Sequence, residues 1–308
     1  MAIYKKERFG IARKIVSNMT AESWETIPHV VVSYEADVTE FLKEYKKLNE
    51  GCTDKAKKIS INTVVMKIIC EGLMVAPKMN CHLNFERKLV RGKLLYHNRV
   101  NVSMPAMLPD GRMMTVNLRH MESKSLMKMT EVINDTMRRM QNTNMDEAMF
   151  EVSLDNTLQG LKKGKIKQAI LRLIGSKTGK HKVRTLKGEA KKKYYSIPES
   201  DRLTKRDIEQ GTVTISNLGS IHRNQKGMCF LLEIIPPQVT AIAVNAIQKK
   251  PVVVTDENGN DTVEIRQILP LTIAFDHRAL DYGDLVPFMD RLDEIFDNPV
   301  VIHDWKGQ

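Results

Sequence analysis

The hydrophobic and polar positions of the chain form alternating strand and helix patterns over its first 140 residues. The segment 27–37, IPHVVVSYEAD, is rich in β-branched residues and predicts a strand. Apolar residues then recur at three- and four-residue spacing after Asp37 and again after Asn62, which predicts two helices capped by these residues. The remaining elements predicted in this part are strands at 99–104 and 112–118 and a helix capped by Ser123.

The last third of the chain is dominated by strand patterns. Near-continuous apolar runs such as 239–244 are typical of strands that are buried on both faces. A helical pattern over 285–296 closes the chain. Together these patterns predict an α/β fold, a two-layer sandwich in which helices cover a large mixed sheet. The strands predicted here are 211–218, 238–247, 251–254, 261–267 and 269–275.

Two segments between these parts differ from them. The run Pro109-Asp110-Gly111 is a turn signal, because Pro presets φ and Gly accepts a positive φ. Residues 141 to about 203 hold scattered glycines and weak periodic signals, apart from a short amphipathic pattern at 165–174. We interpret this region as an insertion or lid within a single domain that spans residues 1–308.

Charge is concentrated in that insertion. The chain of 308 residues is 42% hydrophobic and 28% charged, as in an ordinary globular protein, and its net charge is +11. Between Leu161 and Lys193 there are thirteen Lys or Arg residues and one acid, so this segment, called the basic segment below, accounts for the whole excess. Within the basic segment aromatic residues are nearly absent until Tyr194 and Tyr195, and the lack of stacking platforms argues against a nucleic-acid partner.

Several protein classes are excluded by simple features. No apolar run reaches the roughly 20 residues that a membrane span needs. The N-terminal MAIYKKERFG is positively charged but has no apolar stretch behind it, so it is not a secretory signal. The cysteines form no CxxC pair, which fits a reducing cytoplasm and argues against a zinc site. They are Cys52, Cys70, Cys81 and Cys229.

The sharpest candidate for chemistry is FDHRALDYGD at 275–284. A hydrophobic strand runs directly into His277 and Arg278, and Asp281 follows four residues after the histidine. A histidine at a strand end is held rigidly, and its ordinary pKa lies near the operating pH, so it suits a general base. A nearby carboxylate can orient the imidazole or anchor the turn. The alternative is a structural histidine in an ion-paired turn.

A second candidate is TVTISNLG at 212–219. Thr214 and Ser216 share one face of this predicted strand, because side chains alternate with period two. A serine hydroxyl in this position can stabilise a developing oxyanion, although most such residues in strands are ordinary. Together with Arg278, Thr214 and Asn217 are the candidate substrate-binding residues. The absence of a GxSxG elbow disfavours a serine hydrolase.

These pieces stand in a fixed order: IPH, PDG, TISNLG, IIPPQVTAIAV and DHRALD, before an amphipathic helix that ends in DNP. In this order the chain resembles the catalytic domain of the dihydrolipoamide acyltransferases, the core subunits of the 2-oxo acid dehydrogenase complexes. That family is related in fold to chloramphenicol acetyltransferase. The resemblance covers about residues 8–140 and 203–300 and fails in the basic segment.

The resemblance implies an enzyme that moves an acyl group between coenzyme A and a dihydrolipoamide-type thiol or another small nucleophile. It implies that His277 removes the thiol proton, that Asp281 holds local geometry through an ion pair, and that Ser216 donates a hydrogen bond to the oxyanion. It further implies coenzyme A or acyl-CoA as substrate, no metal, and a lipoyl group supplied in trans by another protein. The implied assembly is a homotrimer or a multiple of three, in which the histidine of one subunit faces the serine of its neighbour.

The chain departs from the family pattern DHRxxDG, because Tyr282 follows Asp281 and Gly283 comes one step later. If that turn needs a positive φ, a tyrosine fits poorly. The chain also begins at the catalytic domain, without a lipoyl domain, a subunit-binding domain or an Ala/Pro linker. These departures leave open a catalytically silent assembly or regulatory protein of the same trimeric fold.

The basic segment is not part of the family pattern, and its role is left open. It can be a solvated loop, a docking surface for an acidic partner, or a module that binds RNA or a membrane. It can also be a lid or electrostatic guide for coenzyme A, whose phosphates attract Lys and Arg side chains.

Overall fold

The computed structural model describes residues 2–108, 111–162 and 166–307; the predicted Pro109-Asp110 part of the turn lies outside these ranges. Its contacts divide the chain into two compact units. The interpretation of a single domain stays a prediction. The small unit consists of Met1–Glu22, Ala106–Asn117 and Asp135–Gln210. The large unit consists of Ser23–Pro105, Leu118–Asn134 and Gly211–Gln308.

The strands among the described residues are β1 (His29–Asp37), β2 (Cys81–Glu86), β3 (Arg91–Tyr96), β4 (Val102–Met107), β5 (Met113–Leu118), β6 (Val213–Asn217), β7 (Thr240–Val244), β8 (Gln248–Thr255) and β9 (Asp261–Asp276). In the large unit the sheet order is β1-β9-β7-β6-β4, and β8 pairs with β9. Strands β4, β6 and β7 are parallel, whereas β9 is antiparallel to β1 and β7. The predicted α/β class with a large mixed sheet is confirmed.

The helices are α1 (Ile11–Thr26), α2 (Thr39–Leu48), α3 (Ile61–Val75), α4 (Leu126–Gln141), α5 (Met145–Lys162), α6 (Ile166–Lys177), α7 (Gly188–Tyr195), α8 (Lys205–Ile208), α9 (Leu218–Ile221) and α10 (Val286–Asp297). The predicted cap of α3 is wrong, because the Ser60 hydroxyl, and not Asn62, accepts the Thr63 N–H at 3.1 Å. For α4 the Ser125 hydroxyl, and not Ser123, accepts a backbone N–H of the first turn. In both cases periodicity fixes the helix but leaves its first turn uncertain by about two residues.

The central strands of the large unit have two different faces. One face carries large side chains that pack under α2, α3 and α10, and it contributes to the main core. The opposite face carries small side chains, including Ala241 and Ala274, which pack against Ile27 and Ile234. We call this second side the small-residue face. The large side chains on the helix-covered face include Val30, Val32, Ile215, Ile242, Ile273 and Phe275.

Strand β9 was predicted as two strands but is continuous over 16 residues. Its first part pairs with β8 and is largely exposed, while its second part enters the sheet between β1 and β7 and is buried. The hydrophobic pattern therefore changes from mixed to continuous within one strand, and this change caused the apparent break near Ile268.

Three features were not predicted from the sequence. Helix α1 and the separate β2–β3 hairpin lie where no element was expected. The region read as an irregular insertion is largely helical, through α5 and α7 as well as α6, where the short amphipathic pattern at 165–174 had indicated a helix. Exposed apolar residues such as Leu158 and Ile170 blur the helical period there, since a single apolar face no longer stands out.

We expect Gly72→Ala to destabilise the protein, although alanine favours a helix by about 1 kcal/mol over glycine. A Cβ at Gly72 in α3 would lie 2.6 Å from the ring of Phe288, which is fully buried in α10. Overpacking of this kind costs about 1–3 kcal/mol, so after the gain in helix propensity the net loss should be about 0–2 kcal/mol. Gly160→Ala in α5 is the matched control, because nothing lies within 4 Å of its Cβ position. Thermal unfolding measures both; a stabilised Gly72→Ala protein would contradict the packing argument.

Candidate functional site

His277 projects from the end of β9 on a backbone that is held firmly. Its N–H donates to the Pro28 carbonyl oxygen at 3.1 Å, and β9 is paired on both sides up to that point. The side chain is 52% exposed, and its Nδ1 lies 3.0 Å from the Leu280 carbonyl oxygen. A carbonyl oxygen only accepts hydrogen bonds, so Nδ1 carries the proton and the lone pair is on Nε2. The imidazole is therefore oriented as a base whose accepting nitrogen is Nε2.

The turn that carries His277 is fixed by a buried ion pair between its neighbours. Asp276 is fully buried, and Arg278 donates to its carboxylate from Nε at 3.0 Å and from a terminal nitrogen at 2.6 Å. The Arg278 backbone N–H also donates to the same carboxylate. A buried carboxylate needs a counter-ion and several hydrogen bonds, because otherwise the loss of its hydration would cost a large free energy. The guanidinium of Arg278 is thus engaged within the turn, and its predicted role in substrate binding stays a prediction.

Asp281 lies close to His277 without a tight bond to it. Its Oδ1 is 3.6 Å from Nδ1 of His277, and its side chain is 87% exposed. It begins a 3₁₀ turn, Tyr282–Asp284, through a reciprocal capping box with Asp284. The Asp284 carboxylate is held in turn by Lys78 at 2.8 Å. The tight ion pair of this loop therefore joins Asp276 and Arg278. Asp281 instead caps the 3₁₀ turn that follows.

The departure at Tyr282 does not distort this loop. A positive φ after Asp281 would suit tyrosine poorly, but neither Tyr282 nor Gly283 has a positive φ. Both belong to the 3₁₀ turn, whose φ values suit any L-residue. The structure accommodates the altered motif without backbone strain.

Ser216 and Thr214 lie on the small-residue face, as the alternation predicts. Ile215 between them belongs to the helix-covered core, while Thr214 and Ser216 stand beside Ala241 and Ala243 of β7. Ser216 is 9% exposed. The small neighbouring alanine leaves room beside the hydroxyl at the end of β6, where the chain turns into α9.

The register of the sheet fixes the separation of Ser216 and His277 within one chain. Ser216 pairs with Ala243, and Ala243 pairs with Thr272, which lies five residues before His277 on β9. Two strand spacings of about 4.8 Å and five residues of about 3.3 Å separate their backbones by about 19 Å. Both side chains cannot contact one reacting carbonyl group from that distance. One chain therefore brings together His277 and Asp281, but not Ser216.

The role of Gln238 was not predicted from the sequence. This glutamine is buried directly before β7, and its Oε1 accepts from the Thr214 hydroxyl at 2.6 Å. Its amide nitrogen donates to the Gly211 carbonyl oxygen at 2.9 Å and to the Ser103 hydroxyl at 3.2 Å. The Thr214 hydroxyl proton is therefore used within the sheet, and substrate binding by Thr214 stays a prediction. A glutamine directly before an apolar strand was the only signal for this network.

A pair of imidazoles lies beside Gln238. The rings of His82 and His97 are 4.2 Å apart, edge to face, and His82 forms an isolated bridge with Gln238. Burial, with a contribution from His97, lowers the pKa of His82 to about 4. His82 is therefore neutral at pH 7 and Nε2, 3.3 Å from the Gly211 carbonyl oxygen, carries its proton. The two rings therefore pack beside the hydrogen-bond network of Gln238 and Gly211.

The TISNLG motif has a local explanation. Oδ1 of Asn217 accepts the Ser220 N–H at 2.8 Å and so caps the short helix α9. Gly219 approaches the chain just after β7 so closely that a Cβ would lie 2.8 Å from the backbone of Ala246. Only glycine permits this approach. Substrate binding by Asn217 stays a prediction.

Two further observations concern the described residues as a set. No group of three or more His, Cys, Asp and Glu side chains among them is arranged to hold a metal ion. Their helices also include none that is long and apolar enough to cross a membrane.

Comparison with known proteins gives a consistent picture. The family described as 2-oxoacid dehydrogenases acyltransferase (catalytic domain) matches residues 4–153 and 181–303. A dihydrolipoyllysine-residue acetyltransferase component of the pyruvate dehydrogenase complex from Staphylococcus epidermidis is 22% identical over 296 residues, which are 96% of this chain and 52% of that protein. The chain spans about half the length of the first curated relatives it matches.

Solved structures agree at the level of the fold. The cubic core of the pyruvate dehydrogenase multienzyme complex superposes with a TM-score of 0.65 at 18% identity, covering 98% of this chain and 94% of that one. Azotobacter vinelandii dihydrolipoamide acetyltransferase gives a TM-score of 0.66 at 17% identity, with the same coverage. The latter's catalytic mechanism has been investigated through a serine, a histidine and an asparagine.

We expect Arg278→Gln to destabilise the protein strongly, because it leaves the fully buried Asp276 without its counter-ion. Breaking a buried pair in this way costs about 3–5 kcal/mol. Arg291→Gln is the control, since Arg291 forms only an exposed pair with Glu294, worth about 0–1 kcal/mol. Denaturant unfolding of both variants measures the difference. Equal stability of the two variants would contradict the structural role of Arg278.

Proposed function

The chain belongs to the 2-oxoacid dehydrogenases acyltransferase (catalytic domain) family, and from this membership we propose that it transfers an acyl group between coenzyme A and a thiol. The acceptor is a dihydrolipoamide-type thiol or another small nucleophile. His277 is the general base. The observation that carries the proposal is the orientation of His277, whose exposed imidazole uses Nδ1 on a backbone carbonyl and leaves Nε2 to accept a proton.

The proposed reaction balances without a metal or redox partner. Nε2 of His277 removes the thiol proton, and the resulting thiolate attacks the carbonyl carbon of the acyl thioester. A tetrahedral intermediate forms, and the Ser216 hydroxyl of a neighbouring copy donates a hydrogen bond to its oxyanion. Collapse of the intermediate breaks the original carbon–sulfur bond. The departing thiolate takes the proton back from the imidazolium, which restores the neutral base.

A second copy is required by this mechanism. The backbones of His277 and Ser216 are about 19 Å apart within one chain, by strand spacing and rise, whereas each must lie about 3 Å from the reacting group. A cyclic assembly brings the histidine of one copy to the serine of the next. The proposed assembly is a homotrimer or a multiple of three, as the family resemblance implies.

Asp281 is proposed to assist His277 through its charge. In the Azotobacter vinelandii protein the asparagine stands four positions after the histidine, and in this chain Asp281 stands four positions after His277. The separation of 3.6 Å from Nδ1 is too long for a hydrogen bond, but a carboxylate at that distance stabilises the imidazolium that forms during the reaction.

The substrates and surroundings follow from the same proposal. Coenzyme A carries the acyl group, and a lipoyl group is supplied in trans by another protein. The thiols of all four cysteines are free, which supports the reducing cytoplasm inferred from the sequence.

The alternative is a catalytically silent trimeric assembly or regulatory protein. Part of its support was the altered loop after Asp281, but Tyr282 fits that loop without a positive φ. The oriented base at His277 favours the enzyme. Binding of coenzyme A followed by an assay for thiol release separates the two functions.

We expect His277→Ala to lower turnover roughly 10²–10⁴-fold, the usual contribution of a general base. Its exposed side chain packs little, so the thermal midpoint should change little. His222→Ala replaces another exposed histidine and is the control. Release of free coenzyme A from acyl-CoA, with dihydrolipoamide as acceptor, provides the measurement. Unchanged turnover in His277→Ala would refute the assignment.

We expect oligomers assembled from equal amounts of His277→Ala and Ser216→Ala chains to regain activity. Each variant by itself lacks one member of every site, and loss of an oxyanion donor costs about 10²–10³ in turnover. In mixed rings about a quarter of the interfaces pair an intact histidine with an intact serine, so about a quarter of wild-type activity should return. Mixing without reassembly is the control. No recovery after verified co-assembly would contradict a shared site.

A further inference from the structure

Helix α6 lies in the part of this chain that the family does not share. The family match covers residues 4–153 and 181–303 and leaves out 154–180, a stretch that contains the whole of α6, Ile166–Lys177. A helix outside the common catalytic core is not needed for the core's chemistry. The surface of α6 therefore indicates a function that is separate from the chemistry of the catalytic core.

Large aliphatic side chains of α6 are exposed. Ile166, Ile170 and Ile174 are 57%, 49% and 52% exposed, and Leu171 beside them is 59% exposed. Residues four apart share one helix face, so the three isoleucines form a line along α6. We call these four residues the aliphatic stripe.

The stripe is not the side by which α6 packs on its own unit. Ala169 on another side of the helix is 3% exposed, α5 packs against α6, and the Lys14 ammonium donates to the Gly175 carbonyl oxygen at 2.9 Å. The helix is thus anchored by one side and at its C-terminal end. Contiguous exposed aliphatic side chains of this kind mark a contact surface.

Basic residues flank the stripe along the sequence. The basic segment holds eleven Lys, two Arg and one Glu between Leu161 and Lys193. The side chains of Lys167, Lys180 and Lys182 are exposed, whereas Lys191 is engaged with the buried carboxylate of Glu147 at 3.1 Å. A surface that combines an aliphatic line with dense positive charge is complementary to an anionic partner that also offers an apolar layer.

We propose that α6 docks this protein peripherally on an anionic lipid surface. The aliphatic stripe inserts at the level of the acyl chains, and the lysines of the basic segment contact the lipid phosphates. Helices with aliphatic side chains on one face and lysine around it lie in the interface in this way, without spanning the bilayer. This inference does not depend on the proposed acyl transfer.

Other occupants fit less well. A protein interface is depleted in lysine and enriched in aromatic side chains and arginine, which is the reverse of this surface. A second copy would bring two segments of net +12 together. Nucleic acid matches the charge but not the aliphatic stripe, and no Phe, Tyr or Trp occurs between Leu161 and Lys193 to stack on bases.

The test uses the full chain and co-sedimentation with vesicles of phosphatidylcholine, with or without roughly one third phosphatidylglycerol. Wild-type protein should bind the mixed vesicles and bind pure phosphatidylcholine far more weakly. The variant Ile170→Ser with Ile174→Ser should bind the mixed vesicles at least about tenfold more weakly. Ile3→Ser with Leu89→Ser is the matched control, since those side chains are 68% and 62% exposed, and it should bind like wild type.

A second variant tests the charge. Replacement of Lys167, Lys180 and Lys182 by Gln should weaken binding and reduce its dependence on salt. The matched control replaces three exposed lysines of the large unit by Gln and loses the same charge, so it should bind like wild type. These control positions are Lys55, Lys57 and Lys58.

Three results would overturn the proposal. The first is a wild-type protein that does not bind the mixed vesicles, whether or not it binds a homopolymer RNA. The second is unchanged vesicle binding by the isoleucine variant. The third is a larger oligomer of the wild type that the isoleucine variant loses, with no vesicle binding, which would make the stripe a contact between copies.

Discussion

The rest of the large unit depends on one constraint, the enclosure of the second half of β9 between β1 and β7. Nine residues of β9, Ile268–Asp276, pair with β1, and five of them also pair with β7. A strand in this position must be apolar on both faces, so its polar end must be neutralised where the sheet ends. The buried pair of Asp276 and Arg278 provides this neutralisation. His277, between the two, is the residue whose side chain projects outward at the strand end.

The same enclosure explains why the two candidate catalytic residues lie apart. The register of β6, β7 and β9 is fixed by side-chain alternation, since a slip by one residue would exchange the small-residue face with the helix-covered face. Ser216 and His277 are therefore held at opposite ends of β6 and β9, which β7 separates, and Gln238 and its partners stiffen the sheet between them. Under the proposed mechanism, rigidity within each copy makes the position of the partner's serine well defined.

The small unit follows a different physical rule. Its helices do not bury all of their apolar side chains. Those that remain exposed on α6 lie within a basic stretch of the sequence. An apolar surface left outside a folded unit costs free energy unless a second phase or partner covers it. On the helix-covered face of the large unit's central strands, by contrast, the side chains fill one continuous core.

The sequence by itself determined the α/β class, most strands, the helices α2, α3, α4, α6 and α10, and the likeness of TISNLG and DHRALD to one family, because alternation and motif order are local properties. The tertiary structure decided what depends on distant residues. It joined two predicted strands into β9, paired Arg278 with Asp276, engaged Thr214 with Gln238, and showed that Tyr282 fits its turn. It also separated Ser216 from His277, because strand register sets a distance that no spacing along the chain contains.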